Sequence, residues 1–202
     1  GQAGLTIAVI ASWIGHRGFG AGQLSPAWFI PAVGNVVAPL GGVPLGFAEA
    51  SWYFFATGLL FWIVLLTLVF NRLVFHEPLP GKLRPTIAIL IAPPAVAALV
   101  WLLLNGGALD PIARILVNLG LFFTALTLTQ IPGLLRLPFA LSFWALSFPV
   151  ASMGAASFRI AALGGSAFYT ALGWVMLAAL TIILAGLIWR TLVAIRRNQI
   201  CI

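Results

Sequence analysis

Charge is what this sequence has least of. Ten basic and three acidic residues make up 6% of 202 positions, where a soluble domain carries roughly 25%. A water-facing surface cannot be built from so few charges, which excludes a soluble globular domain. Cysteine is nearly missing too. Cys201 stands alone near the end of the chain, which excludes a disulfide framework and a thiolate metal cluster. The two histidines, His16 and His76, fall in loops, and neither His-x-x-x-His nor Cys-x-x-Cys occurs. No metal site and no cofactor are predicted, and an intramembrane enzyme lacks the converging nucleophile and base it would need. Nothing resembles a cleaved signal peptide. The chain opens on Gly1 rather than Met and enters an apolar run at once, so it reads as a fragment lacking an N-terminal part.

What is present is apolar: 62% hydrophobic residues and a mean hydropathy of +1.15. The bilayer is then the main solvent. Backbone groups in lipid must be satisfied within the protein, so spans are helices or closed barrels. A barrel would show short strands alternating apolar with polar positions. The runs here, such as 59–70 and 87–104, are long and uninterrupted by charge. The expected fold is all-α integral membrane, a single transmembrane domain over 1–202. A helical crossing takes about 20 apolar residues, which gives about seven spans: 5–16, 26–42, 48–75, 84–104, 110–136, 138–158 and 166–195.

The net charge of +7 and the isoelectric point near 11.5 do not imply nucleic acid here, because the basic residues sit between apolar runs. Alternating the loops puts Arg17, Arg72, Lys82, Arg84, Arg136, Arg190, Arg196 and Arg197 on one side and Arg114 and Arg159 on the other. By the positive-inside rule the richer side is cytoplasmic. This predicts a multi-pass inner (plasma) membrane protein with a cytoplasmic C-terminus. The surplus positive charge also steers anions toward the protein.

A weak repeat runs through the chain. Spans two, four and six each carry a proline among small residues: Phe29-Ile30-Pro31-Ala32-Val33-Gly34, Ile91-Ala92-Pro93-Pro94-Ala95-Val96 and Ser147-Phe148-Pro149-Val150-Ala151-Ser152. Pro31, Pro94 and Pro149 follow one another at 63 and 55 residues, the length of a helical hairpin. Spans three, five and seven are rich in Leu, Ile, Phe and Trp. Bulky helices suit lipid, while helices of small residues suit close packing or a narrow lumen. Spans interrupted by Gly or Pro at corresponding places point to a transport path.

The same residues carry a resemblance. Pro31-Ala32-Val33-Gly34-Asn35, Ala92-Pro93-Pro94-Ala95 and above all Phe139-Ala140-Leu141-Ser142-Phe143-Trp144-Ala145-Leu146-Ser147-Phe148-Pro149 resemble the tellurite-resistance/dicarboxylate transporter family, which includes the plant guard-cell slow anion channels. The resemblance implies ten helices as five hairpins around a central pore lined by the inner helix of each hairpin. The seven spans here would be helices four to ten. It implies a homotrimer with one pore per subunit, and a phenylalanine plug on the ninth helix that falls at Phe148.

Drawn as a helix, span six puts Leu141, Ala145, Phe148, Ser152, Ala155 and Arg159 on one stripe. The large ring at Phe148 stands among small residues, and Pro149 beside it bends the helix. Candidate pore-lining residues are Pro31, Asn35, Pro94, Ala145, Pro149 and Ser152. Arg159, about 16 Å further along the axis, is placed at the mouth, where it either attracts anions or snorkels to the interface. Asn35 either donates to an anion or bonds a neighbouring helix. For the serines, bonding back to their own helix is the default. No acidic residue falls in mid-span, which favours a passive path over proton coupling. The expected function is an anion channel or transporter with a phenylalanine gate. The alternative is a carrier, possibly proton-coupled, for C4-dicarboxylates or for sulfite- or tellurite-type oxyanions. Expected partners are small inorganic or dicarboxylate anions and membrane lipid.

Overall fold

The long helices are of two kinds, those that change winding in mid-span and those that do not. A computed structural model describes residues 1–15 and 18–197; His16, Arg17 and Cys201 lie outside the described residues. Seven helical spans follow in order: α1 (Gln2–Gly15), α2 (a broken span over 26–42), α3 (Ala48–Phe75), α4 (Gly81–Leu104), α5 (Pro111–Leu134), α6 (Leu141–Gly164) and α7 (Ala167–Arg196). The described residues contain no strand. Helices α3 to α7 are each long and apolar enough to cross a membrane, and the protein is an all-α integral membrane protein. The first two expected spans depart from that length. Helix α1 has 14 residues, about 21 Å, which is short of a full crossing. Span α2 is a string of short pieces, Pro26–Trp28, Phe29–Val33, Gly34–Val37 and Pro39–Gly42, alternately 3₁₀ and α.

The even-numbered spans share one local design. In α4 the segment Gly81–Ile91 winds as a 3₁₀-helix and Ala92–Leu104 as an α-helix. In α6 the change comes between Leu141–Leu146 and Ser147–Gly164. Each α-segment takes its proline in the first turn: Pro31 in Phe29–Val33, Pro93 and Pro94 in Ala92–Leu104, and Pro149 in Ser147–Gly164. A proline has no N–H and crowds the carbonyl four residues back, but the first turn of an α-helix needs no such bond. The tighter 3₁₀ turn brings the chain to that point without an α-bond at the proline.

The prolines also set the layers. Spans α2, α4 and α6 pack side by side, and each packs against the helix that follows it. The most apolar stretches of α4 and α6 are 67% and 44% buried, against 28% for α3, 39% for α5 and 17% for α7. The inner layer is therefore α2–α4–α6 and the outer layer α3, α5 and α7, whose exposed faces carry Leu60, Ile63, Phe122, Trp174, Ile182 and Trp189. Helix α1 lies along α2 on its other flank. The chain alternates in direction: Trp13 stacks on Trp28 at 4.6 Å while Thr6 meets Asn35, and Gly42 meets Ser51 while Gly58 meets Val36.

Glycines on the outer helices let the layers touch. A Cβ on Gly58 of α3 would lie 2.3 Å from Val36 Cγ2 and 2.7 Å from the Val36 amide nitrogen. On Gly120 of α5 it would meet Met153 Sδ at 3.0 Å, and on Gly173 of α7 the Phe158 ring at 2.7 Å. With no hydrophobic drive between helices in lipid, such close approach is the main source of association. At the α4–α5 turn, Asp110 caps α5 by accepting from the Ala113 amide at 2.9 Å. It also accepts from Trp101 Nε1 at 2.9 Å and Asn105 Nδ2 at 3.1 Å. At the opposite end Arg72, 3% exposed, donates to the Glu77 carbonyl.

Gly58→Val is expected to destabilise the protein by about 1–3 kcal/mol, because its side chain would collide with both the side chain and the backbone of Val36. Gly186→Val, with nothing within 4 Å of its Cβ position, is the matched control. Thermal unfolding in detergent micelles compares the two, and equal midpoints would contradict the packing described.

Candidate functional site

The three spans that change winding at a proline converge on one groove. Its volume is about 350 Å³. Span α2 contributes Phe29, Ile30, Val33, Gly34, Val36 and Val37; α4 contributes Ile89, Ala92, Pro93 and Val96; α6 contributes Ala145, Phe148 and Pro149. The lining holds no charged side chain and no polar one. The proline turns bring these residues together, since each span changes its winding at the depth of the groove. The change re-aims the side chains that follow.

Beside the buried ring of Phe29, this surface carries the exposed ring of Phe148. Phe148 is 50% exposed, while Pro149 beside it is buried. The other aromatic residues of α6 have partners. Phe139 stacks on Phe143 at 6.0 Å, Phe158 meets Trp174 edge-on at 5.4 Å, and Trp144 Nε1 donates to Thr191 Oγ1 at 3.1 Å. Phe148 has no ring contact among the described residues. The stripe drawn along span six is real as an open face: Leu141, Phe148, Ala155 and Arg159 are exposed and Ala145 is half-buried. Ser152 departs from it, being buried and donating to the Pro149 carbonyl at 2.9 Å.

Of the six residues expected to line a pore, Ala145 and Pro149 line the groove together with Phe148. Pro93 and Pro94 are both buried, and of the two it is Pro93 that borders the groove. Asn35 and Pro31 turn the other way, toward α1. Asn35 Nδ2 donates to Thr6 Oγ1 at 2.8 Å and to the Ala32 carbonyl at 2.7 Å. Thr6 Oγ1 lies 3.0 Å from the Gln2 carbonyl and 3.2 Å from that of Pro31, and Gln2 Nε2 lies 3.5 Å from the latter. Of the two readings open for Asn35, the helix-bonding one fits. Serines 147, 152 and 157 bond back to carbonyls of their own span, whereas Ser142 donates across to the Lys82 carbonyl. Arg159 is exposed at the far end of α6, its Nη2 3.7 Å from where a Cβ of Gly107 would stand.

Gln2, Thr6 and Pro93 were not singled out from sequence. The Pro93-Pro94 pair signals the break without saying which ring faces in. A threonine on a short apolar helix gives no cue that it serves a neighbour's backbone.

Thr6→Val is expected to loosen α1 from α2 at a cost near the average interhelical hydrogen bond, about 0.6 kcal/mol. Hydrogen exchange of the 29–37 amides in nanodiscs checks this, and unchanged protection would mean that Thr6 does not support the break.

The sequence profile of the family described as voltage-dependent anion channel matches residues 2–192. The chain is 30% identical over 132 residues to the S-type anion channel SLAH2 of Arabidopsis thaliana, covering 65% of this chain and 25% of that protein. It is 27% identical over 169 residues to the S-type anion channel SLAH3 of the same plant, covering 84% and 26%. It is 28% identical over 149 residues to a tellurite resistance protein TehA homolog of Haemophilus influenzae, covering 73% and 45%. The chain thus spans a quarter to under half of the length of these relatives.

Proposed function

Since the chain belongs to the voltage-dependent anion channel family, we propose that it passes small anions across the membrane along the face where α2, α4 and α6 converge, with Phe148 as the gate. The observation that carries this reading is the half-exposed Phe148 ring on an otherwise apolar groove built by all three proline-interrupted spans. Stripping an anion of water in such a lining carries a large desolvation cost. A ring at the narrow point closes the path by occupying it and by keeping it dry. Ala145 and Pro93 are small neighbours that leave room for the ring to swing, and Pro149 holds the turn that aims it.

The electrostatics support anions. The three acidic residues stand at helix ends or in a loop: Glu49 in the first turn of α3, Asp110 at the cap of α5 and Glu77 between α3 and α4. The middle of the groove therefore presents an anion with no fixed negative charge. Arg159, toward one end of α6, is a cation of the mouth, with Arg114 of α5 on the same side. Arg72, Lys82, Arg84, Arg136, Arg190 and Arg196 gather at the opposite end of the spans, which makes that end cytoplasmic in a plasma membrane. The same asymmetry draws anions toward the inner opening. Three copies associating through the exposed apolar outer faces complete the reading, each with its own path.

A carrier of C4-dicarboxylates or of oxyanions is the second reading, favoured for the oxyanion case by the similarity to a tellurite resistance protein. Planar-bilayer recording of the protein expressed from its native gene separates the two. Phe148→Ala is expected to raise chloride or nitrate current by an order of magnitude or more, while Phe122→Ala on the outer face of α5 leaves it unchanged. A Phe148→Ala variant as silent as the native protein removes the gate. Saturable malate, sulfite or tellurite uptake that follows an imposed proton gradient, with no current, replaces the channel by the carrier.

A further inference from the structure

The first half of α4 winds as a 3₁₀-helix for 11 residues, Gly81–Ile91, where runs longer than about four are uncommon. Its prolines account for the winding. A helical carbonyl accepts from the N–H three residues on in a 3₁₀ turn and four residues on in an α turn. With prolines at 93 and 94, an α-winding throughout would leave the carbonyls of Ile89 and Leu90 without a helical donor. The 3₁₀ winding lets the Ala92 N–H serve Ile89 and leaves Leu90 alone without one. At the start of the span Pro85 removes the 3₁₀ donor of the Lys82 carbonyl, and the Ser142 hydroxyl of α6 donates there instead. In an α-winding the Thr86 N–H would reach Lys82. The carbonyl left over would be that of Gly81, at the exposed end of the span.

The outer helices hold the donors that an α-winding would need. Trp62 of α3 and Thr127 of α5 are buried, and neither the indole N–H nor the hydroxyl has a partner. Thr124, on the same buried face of α5, gives its proton to the Gly120 carbonyl of its own helix. Both unpaired groups stand beside the break in α4. Trp52 meets Trp101 at 6.1 Å, and following the two antiparallel helices from there at the α-helical rise brings Trp62 level with Ile91. A Cβ on Gly120 would lie 3.6 Å from the Ala95 amide nitrogen. Descending from that contact at about 1.5 Å per α-residue and about 2.0 Å per 3₁₀-residue brings Thr127 level with Ile89. The approach of Gly133 to Arg84 fixes the same register further down. As wound, the break sets one carbonyl without a helical donor beside two unpaired donors. Rewound as α, it would set two carbonyls beside the same two donors.

We propose that the first half of α4 is a two-state segment, 3₁₀ in this structure and α in a second state, with Ser142 holding the first and Trp62 and Thr127 the second. In the second state Trp62 Nε1 and Thr127 Oγ1 donate to the two carbonyls that the proline doublet strands. The change shortens Gly81–Ile91 by about 0.5 Å per residue, about 5 Å in all. It turns Ile89 by about 60° around the axis relative to Ala92, and so off the groove that these two residues line with Pro93. The groove thereby changes shape on its α4 side. The switch stands whatever passes along the groove, and its test reads a distance rather than a current.

The test uses the full chain with Cys201→Ser, nitroxide labels on Pro80→Cys and Ala108→Cys at the exposed ends of α4, and double electron–electron resonance in nanodiscs. Two distances about 5 Å apart are expected, the longer one dominant. Ser142→Ala is expected to raise the shorter component about fivefold, the weight of one net hydrogen bond. Trp62→Phe and Thr127→Val, each added to Ser142→Ala, are expected to lower it by a similar factor. Thr124→Val, which deletes a hydroxyl bonded within its own helix, is expected to leave the distribution unchanged. Trp62→Phe and Thr127→Val delete groups that have no partner in the 3₁₀ state, so neither is expected to lower the thermal midpoint. A single distance shared by the native protein and the Ser142→Ala protein overturns the proposal. So does a shorter component that Trp62→Phe and Thr127→Val leave unchanged or raise, and so does a lowered midpoint without a change in distance, which means that the two side chains only pack.

Discussion

A backbone amide in a lipid bilayer has no water to fall back on, and this protein places proline in the middle of three of its spans. Each proline removes one donor from a helix that has no spare ones. The response is the same each time. The chain arrives in a 3₁₀ winding and begins its α-segment so that the proline occupies the first turn. In α4 and α6 that repair is internal. In α2, where the pieces are shortest, it is shared: Gln2 and Thr6 of α1 reach the Pro31 carbonyl, and Asn35 reaches that of Ala32. The inner layer, the groove and the docking of α1 all follow from where those prolines stand.

The outer helices solve a complementary problem. Lipid is as apolar as leucine, so nothing pushes α3, α5 and α7 onto the inner layer except contact itself. Each brings a glycine to the place of closest approach: Gly58 to Val36, Gly120 to Met153 and Ala95, Gly173 to Phe158. Around these contacts Phe55, Trp62, Leu65 and Phe123 are buried, while Leu60, Ile63, Phe122 and Trp189 face outward. Small residues therefore stand at the closest approaches, and large ones fill the core around them. On the inner face Phe148 is an exposed ring flanked by the small Ala145 and by Pro149.

Much of this was legible beforehand. Seven helical spans, their alternation in direction, the two layers and the position of Phe148 on an open stripe follow from hydropathy, proline spacing and helical phase. What could not be read depended on angle or on partners. A proline doublet marks a break without choosing between Pro93 and Pro94. Asn35 sits in a 3₁₀ turn, where a phase counted at 3.6 residues per turn drifts, and it faces α1 rather than the groove. Ser152 lies on the right stripe yet gives its proton to the Pro149 carbonyl, as a hydroxyl without water nearby does. Boundaries moved for local reasons: α6 runs on to Gly164 because the chain stops only where Gly165 adopts a left-handed conformation, φ 64°.

The fragmentation of α2 bears on how the protein is made. Its longest uninterrupted α-piece, Phe29–Val33, has five residues, and helix formation is cooperative with a costly first turn. Such a segment has too few internal bonds to be released into lipid on its own. It must leave the insertion machinery already paired, with Gly58 of α3 against Val36 and Thr6 of α1 against Asn35. The order of synthesis and the order of assembly therefore part company at this point. The second span waits for the third, and the three enter the bilayer as one unit.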